Sequence, residues 1–413
     1  VIYDGTQCIL ENPATFEAGG VQSLDADLTA IAGLAHTSGK AVVSDGSAWT
    51  ADYPTGFYPN AARNPSMRWS QRGTSHPGMA PTSTPMTLDG WKWSYWDGAQ
   101  TVVETVSQES NGGVDGNSKW MKRLVTTGTA SPEAICAYTM YLYHEGNHLQ
   151  PLIDPTTGFI GETMIGADVF VHLGAGSGLS APFTLSWSIQ CLDLGTQKSY
   201  TGGVTVTAED TWERVYLSIP SEAAGQMDND TGHAASLVWT IGGNTSKDID
   251  AGWRTQDQNF MVTGFSDFGD AADNYVGLTN VDWYRGTNER PFVAPSYETD
   301  EKEAYRYYRR FETGTSMRLA RGHSNTTTAA LCLIPHMVEM REPPVLAVSG
   351  VTDFDIQRAA ASSAVTNLVM NKASVWNSEL NATTGATQVA GQGVELLFDA
   401  GGTRFLALDA DLD

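Results

Sequence analysis

The sequence predicts a mainly β protein: a small N-terminal helix/hairpin connector, an antiparallel jelly-roll-like β-sandwich, and a β-rich C-terminal tip domain introduced by a short helix. Three observations carry this. Glycine is abundant, 42 of 413 residues, and with Ser, Thr, Asn and Asp it punctuates many short runs. Those runs are β-branched or aromatic and nearly alternate, the period of a half-buried strand. At 413 residues the chain exceeds one ordinary core, so two or three domains are expected. The boundaries fall at 1–52, 53–297 and 298–413.

In the first unit, Leu24, Leu28, Ile31 and Leu34 are spaced by four, three and three, the stripe of an amphipathic helix, with Asp25 and Asp27 near its start. AVVSDGSAWT, from 41 to 50, reads as a hairpin around an Asp-Gly turn. So small an element needs a neighbour, either copies of itself from sister chains or this chain's next domain.

In the second unit, eight segments read as strands: TVVETVSQES, AYTMYLYHEG, GADVFVHLGAG, PFTLSWSIQCLDL, SYTGGVTVTAED, WERVYLSIP, ASLVWTIGG and NFMVTGFSDF. That number at that spacing suggests a jelly roll, an architecture that does not by itself fix a function.

Residues 280–311 mark the passage to the third unit. Val281 and Trp283 lie on a strand, a Gly-Thr-Asn turn follows, and Pro291 and Pro295 keep the connector extended. Thr299 or Asp300 is then the expected N-cap, with Asp300, Glu301 and Glu303 in the first turn. Tyr305, Tyr308 and Phe311 recur at threefold spacing, which gathers them on one face of a helix too short to stand alone in water. Beyond it, TAALCLIPHMVEM, PPVLAVSG, AVTNLVMN, VELLFDA and RFLALDADL read as strands, and 351–364 is ambiguous.

The formal net charge of −23 argues against nucleic acid, whose phosphates need clustered Lys and Arg, and against a bare anionic membrane. A neutral glycan, or an anionic one bridged by divalent cations, suits it better. Cys8, Cys136, Cys191 and Cys332 are scattered without metal-site spacing and read as separate thiols. No apolar run reaches membrane-spanning length, and no signal-peptide pattern is present, so no membrane insertion is expected.

His144-Glu145-Gly146-Asn147-His148 matches the zinc-protease string HExxH, which needs both histidines on one helical face. AYTMYLY before it alternates as a strand, and Gly146, Asn147 and Pro151 favour a turn, so a strand ending in a polar turn is expected instead. GxSxG and the phosphate-loop motif are absent, and no carboxylate pair stands out for glycoside hydrolysis. No β-helix repeat is visible. No catalytic residue and no cofactor are therefore expected. Asp228-Asn229-Asp230 and the group Asp267, Asp270, Asp273 offer oxygen ligands for a structural calcium, but solvated loop charge is the simpler reading.

Aromatics are the natural sugar contacts, because sugar faces stack on rings while amides and carboxylates bind hydroxyls. Trp91, Trp93 and Tyr95 share a face if extended, and read as core. Trp96, before an Asp-Gly turn, and Trp253, in the loop DIDAGWRTQDQ, are expected to be exposed. RGHSNTTTAA (321–330) and VWNSELNATTG (375–385) read as polar recognition loops, which makes Arg321, His323, Asn325, Trp376 and Asn377 ligand-binding candidates.

Four segments together resemble tail-fibre and host-recognition proteins of tailed bacteriophages. They are NPSMRWSQRGTS (64–75), GWKWSYWDG (90–98), the passage NVDWYRGTNERPFVAPSYETDEKEAYRYYRRF (280–311) and the closing RFLALDADLD. SLDADLTAIAGLAHTSGKAVVSDGSAWT is similar to connector units in such fibres. The resemblance implies a homotrimeric virion protein. Its N-terminal region would join other tail or head proteins, and its tip would bind a host cell-surface glycan without performing chemistry. It also implies that 64–75 opens the sandwich as a strand. Deleting 298–413 would then remove cell binding and leave the sandwich folded. The rivals are a glycan depolymerase and a structural decoration fibre that binds no receptor.

Overall fold

In the computed structural model the described residues are four short N-terminal strands, at 2–3, 8–9, 41–44 and 49–52, and the chain from 60 to 411. Short stretches at 80–84, 97–101, 116–117, 130–136, 155–156, 194–196, 223–226, 246–247, 256–260, 314–316, 359–360 and 400–403 fall outside them. The chain forms two compact units, Val1–Phe57 and Tyr58–Asp413. In the first, β1 (Ile2–Tyr3) pairs antiparallel with β2 (Cys8–Ile9), and β3 (Ala41–Ser44) with β4 (Trp49–Asp52). The latter is the hairpin expected around Asp45-Gly46; the helix expected over 24–34 lies outside the described residues.

The second unit opens with two six-stranded sheets. Sheet one contains β5 (Ser75–Met79), β7 (Val103–Glu109), β8 (Trp120–Thr127), β10 (Thr163–His172), β13 (Glu213–Ile219) and β18 (Tyr275–Arg285), in spatial order β13-β10-β18-β8-β7-β5. Sheet two contains β6 (Trp91–Trp96), β9 (Ala137–Glu145), β11 (Phe183–Cys191), β12 (Lys198–Val206), β14 (His233–Gly243) and β16 (Gly252–Thr255), in order β16-β12-β11-β14-β9-β6. Within these orders, β8-β18-β10-β13 and β9-β14-β11-β12 are the two four-stranded halves of a jelly roll, and the chain crosses between them at most steps. A two-residue parallel pair, β15 (Asp248–Ile249) with β17 (Met261–Val262), sits beside sheet two.

One core fills the space between the sheets, with Trp91, Trp93, Trp187, Trp239 and Trp283 all fully buried in it. Each such side chain contributes about 1.5–3 kcal/mol through burial. The core also holds an ion pair. Arg123, on β8, is fully buried and meets Glu104 at 2.8 Å, and Glu104 accepts from the Trp93 indole at 3.1 Å. That inward arginine hides β8 from the sequence, since Lys122-Arg123 reads as a break in an apolar run.

Beyond β18 the extended connector runs to a helix. With α1 the single turn Gly146–Leu149, this is α2, Tyr297–Tyr307. Its N-cap is Ser296, whose Oγ accepts from the Thr299 backbone N–H at 3.2 Å, and not Thr299 or Asp300. The helix also ends earlier than its aromatic spacing suggests. Tyr308 and Phe311 lie on β19 (Tyr308–Thr313), which pairs with β27 (Arg404–Asp409), itself paired with β22 (Val345–Val348). The expected single face of Tyr305, Tyr308 and Phe311 is thus split between helix and strand. Residues 64–74 are turns rather than an opening strand, with Asn64 and Met67 in the left-handed region at φ 44° and 53°.

The remaining strands close a six-stranded antiparallel barrel, which leaves no sheet edge to pair with another chain. They are β20 (Arg318–Ser324), β21 (Ala329–Pro335), β23 (Phe354–Arg358), β24 (Ala361–Ala373), β25 (Asn377–Thr384) and β26 (Gly393–Phe398), in order β20-β21-β25-β24-β23-β26. Its core, including Phe354, Ile356, Leu380, Leu396 and Phe398, is separate from that of the sandwich.

Candidate functional site

Three of the four segments behind the fibre resemblance meet in space. Arg63, just before the 64–74 turns, and Arg72, within them, both reach the Asp411 carboxylate beyond β27, each at 3.3 Å. Arg72 also meets Asp409 at 3.1 Å, and the two guanidiniums stack on Tyr307 and Tyr308, 3.2 and 3.7 Å from the ring centroids. Gln71 joins the Asp89 carboxylate, at 2.8 Å, to the Tyr308 carbonyl, at 2.7 Å. The barrel is therefore latched to the sandwich by buried charge. Arg63 and Glu145 of the sandwich thus take their carboxylate and guanidinium partners, Asp411 and Arg306, from within 298–413.

The HExxH string takes part in the latch. His144 is fully buried on β9 with its ring edge-on to Trp283, 5.1 Å away, and neither ring nitrogen has a hydrogen-bond partner. Burial holds its pKa well below the usual histidine value. Glu145 pairs with Arg306 of α2 at 2.9 Å, and His148 Nδ1 lies 3.1 Å from the Tyr307 hydroxyl. Gly146 is required because an added Cβ would run into the Asp228 carbonyl. One histidine on a strand and one on a following turn do not make a zinc site.

On the barrel, the predicted loops are strands. Arg321 and His323 lie on β20 and Asn325 in the turn after it; Asn377 begins β25 and Trp376 precedes it. Alternation explains the misreading: Ala330, Cys332, Ile334, Leu380 and Ala382 face the barrel core, and the polar residues between them face water. Arg321, His323, Asn325, Trp376 and Asn377 are all exposed, but they spread along the outer wall of β20, β21 and β25, with Asn325 and Asn377 at its opposite ends.

A groove of about 540 Å³ crosses β20, β26 and β23, lined by Arg318, Arg321, Gln357, Arg358 and Glu395. Arg321, Glu395 and Gln357 share one cross-strand row. Glu395 is met by the Nε of Arg318 at 3.0 Å and of Arg321 at 3.3 Å, so one carboxylate orients two guanidiniums whose side chains remain 61% and 81% exposed. Arg358 is anchored at the other wall by the Thr387 carbonyl, at 2.8 Å, and Ser363 Oγ, at 2.7 Å. Three arginines against one glutamate make this groove cationic on a chain of net charge −23. Planar guanidiniums held in place suit carboxylate, phosphate or sulfate. Sequence reasoning found Arg321 but missed Arg318, Arg358 and Glu395; the alternating polar positions of β20 and β26 were the available signal.

The sandwich candidates fare differently. Trp253 is on the edge strand β16, not in a loop. It is half-buried, packs on Phe159 and Tyr200 at 5.7 and 5.5 Å, and donates its indole N–H to the Pro220 carbonyl at 2.7 Å. Trp96 ends β6 and its side chain lies outside the described residues.

Three of the acidic-loop carboxylates, Asp230, Asp267 and Asp270, accept hydrogen bonds from their own surroundings. Asp267 accepts from Gly269 and Gly243 N–H at 3.0 and 3.2 Å, Asp270 from Ser177 and Asn274, and Asp230 from Gly232 N–H. Among the described residues, His172, Glu209 and Asp210 bring metal-ligand atoms within 4.8 Å of one another. Of these, His172 Nδ1 lies 2.7 Å from Asp210, and Glu209 accepts from Leu173 N–H. No helix among the described residues is long and apolar enough to cross a membrane.

No protein-family model matches the sequence, and no curated protein matches it. Among solved structures the chain is similar to the enzymatically active domain of bacteriophage CBA120 tailspike protein 4, at 13% identity and a TM-score of 0.28, covering 55% of this chain and 21% of that one. It is also similar to the CBM22-1–GH10 modules of Clostridium thermocellum endo-1,4-β-D-xylanase 10B, at 14% identity and a TM-score of 0.26, covering 50% of this chain and 28% of that one. The tandem CBM22-1–CBM22-2 domain of Paenibacillus barcinonensis Xyn10C gives 12% identity and a TM-score of 0.24, covering 82% and 95%. The chain thus spans about a fifth of the tailspike domain and little more than a quarter of the xylanase modules. Scores this low carry neither fold nor activity to this chain.

Proposed function

We propose that this chain is a fibre protein of a phage-type virion that adheres to a bacterial surface glycan through its C-terminal barrel and performs no chemistry on it. In this reading it acts as a homotrimer whose N-terminal region joins other virion proteins. Several weak sites then act together through avidity. The observation that supports it is the groove of Arg318, Arg321 and Arg358, with Glu395 holding two of them in place on an exposed strand wall.

The groove also refines the ligand. Overall acidity suggests a neutral glycan or a cation-bridged one, but local charge governs contact over a Debye length of about 8 Å. An acidic sugar carrying carboxylate or phosphate fits these arginines directly. The test is binding of the full chain to an array of acidic and neutral glycans, beside the Arg318→Glu/Arg321→Glu variant. Selective capture of acidic glycans that this variant abolishes supports the reading; equal capture by both proteins sinks it. Release of reducing ends from a bound polysaccharide would instead favour a depolymerase.

A further inference from the structure

The outer face of sheet one carries a second built surface. On β10, Val169 and Val171 enter the core while Phe170 and His172 face outward; on β18, Val276 enters and Tyr275 faces outward; on β8, Met121 enters and Trp120 and Lys122 face outward. Trp212, just before β13, completes the group. Tyr275 is stacked with Phe170 at 5.7 Å and 8°, and with His172 at 4.8 Å and 29°. Trp212 meets Trp120 edge-on at 5.5 Å and Phe170 at 5.4 Å.

These rings are fixed from two sides. Gly277, opposite Phe170 in the ladder, leaves room for the indoles: an added Cβ would lie 2.9 Å from the Trp120 ring and 3.1 Å from the Trp212 ring. Both indole N–H groups donate to one loop, Trp120 to the Asn111 carbonyl at 2.9 Å and Trp212 to the Gly112 carbonyl at 2.8 Å. Apart from Trp120 the rings stay partly exposed. Their rim is polar and acidic. Lys122 Nζ stands 4.2 Å over Tyr275, and Glu109, Glu209 and Asp210 surround the same side.

We infer that this face is a second glycan site, one that takes neutral hexose rings. Sugar C–H faces stack on the fixed rings, and Asp210, His172 and Lys122 hydrogen-bond hydroxyls. Rings already held by their hydrogen bonds lose little freedom on binding. The carboxylate rim repels the acidic sugars proposed for the barrel groove, so the two sites divide the ligand classes. The inference rests on the reading of the chain as a glycan-binding protein, but not on the barrel groove.

The experiment titrates the full chain with neutral and with acidic oligosaccharides as separate sets, following tryptophan fluorescence, and repeats it with Trp212→Ala and Asp210→Asn. Wild-type protein is expected to bind members of the neutral set, Trp212→Ala to lose about tenfold in affinity and Asp210→Asn about threefold. If Trp212→Ala disturbs folding, seen in near-ultraviolet circular dichroism, the exposed Asp210→Asn variant decides. Binding of the acidic set alone overturns this inference and spares the barrel reading; binding of neither set overturns both. A fall in solution mass caused by Trp212→Ala assigns the face to subunit contact and also overturns it.

Discussion

The Arg63 guanidinium and the Asp411 carboxylate meet at 3.3 Å with 3% of each side chain exposed, although 348 residues separate them. Asp411 also holds Arg72, so one carboxylate compensates two buried cations at the joint between sandwich and barrel. Removing it should cost about 3 kcal/mol, because the buried Arg63 guanidinium loses its carboxylate partner while Arg72 keeps only Asp409 and Asp89. Urea unfolding of Asp411→Ala should show a lower midpoint with an unchanged slope. Replacing the pair by apolar residues, Arg63→Met with Asp411→Leu, should cost less than Asp411→Ala alone.

Glu303 of α2 lines a cleft of about 540 Å³ beside His148 and Arg306, and burial pushes its carboxyl up to about 7. A carboxyl raised in the folded state favours folding when protonated. Its contribution is therefore present at low pH and is lost as pH climbs from the usual glutamate value of 4.5 through about 7. Glu303→Gln should stabilise the protein by about 1–2 kcal/mol at pH 8, a discounted figure because solvent reaches the cleft, and by little at pH 4.5. His148, held down at about 4 by burial, has the opposite sign. Its neutral form favours folding, and that contribution fades as pH falls from 6.5 towards 4. Melting temperatures of both proteins across pH 4–8 separate the two.

Much of the sandwich was legible because its strands obey simple rules. Phe183–Cys191 and His233–Gly243 are apolar, bounded by turn residues and buried on both sides of the pleat. What escaped was decided by tertiary partners. Among the described residues, the expected strand over 259–268 is Met261–Val262, and β8 was hidden by an arginine that finds Glu104 across the sheet. Tyr308 continues a helical spacing, yet it is a strand residue because β27 offers a ladder at that point. The same holds at the candidate site. Arg321 could be named from its polar surroundings, but Arg318, Arg358 and Glu395 converge only when β20, β26 and β23 are laid side by side. Trp253 looked exposed beside polar residues, and its half-buried place follows from the distant Phe159 and Pro220.

Within the barrel groove, two single substitutions should act in opposite directions. Arg321→Ala removes a donor fork and should weaken binding of an acidic glycan by about tenfold, or 1.4 kcal/mol. Glu395→Gln removes the one carboxylate that lines the groove among the described residues and should strengthen it by about threefold. Arg321 is 81% exposed, so its loss should leave the melting temperature within about one degree of wild type. Calorimetric titration at low and high salt checks both signs, and the difference between the variants should shrink as salt is raised.

We assign the proposed trimer contact to one wall of the barrel. Leu333, Met337, Val369 and Trp376 are all exposed apolar side chains on or beside the barrel wall of β21, β25 and β24, a concentration that a monomer would leave to water. Leu333 also shares its cross-strand row with Arg321, so association through this wall would bring the arginine groove close to a subunit border. Light scattering after size exclusion should then give three 44.4 kDa chains, about 133 kDa. Leu333→Glu should lower that mass towards one chain, because burying an unpaired carboxylate in the contact costs several kcal/mol for each copy. Avidity would fall with it, so the same variant should bind a multivalent surface far more weakly while keeping its affinity for a monovalent acidic sugar. A wild-type mass of one chain would remove the trimer from the proposal, and adhesion would then rest on the intrinsic affinity of each groove.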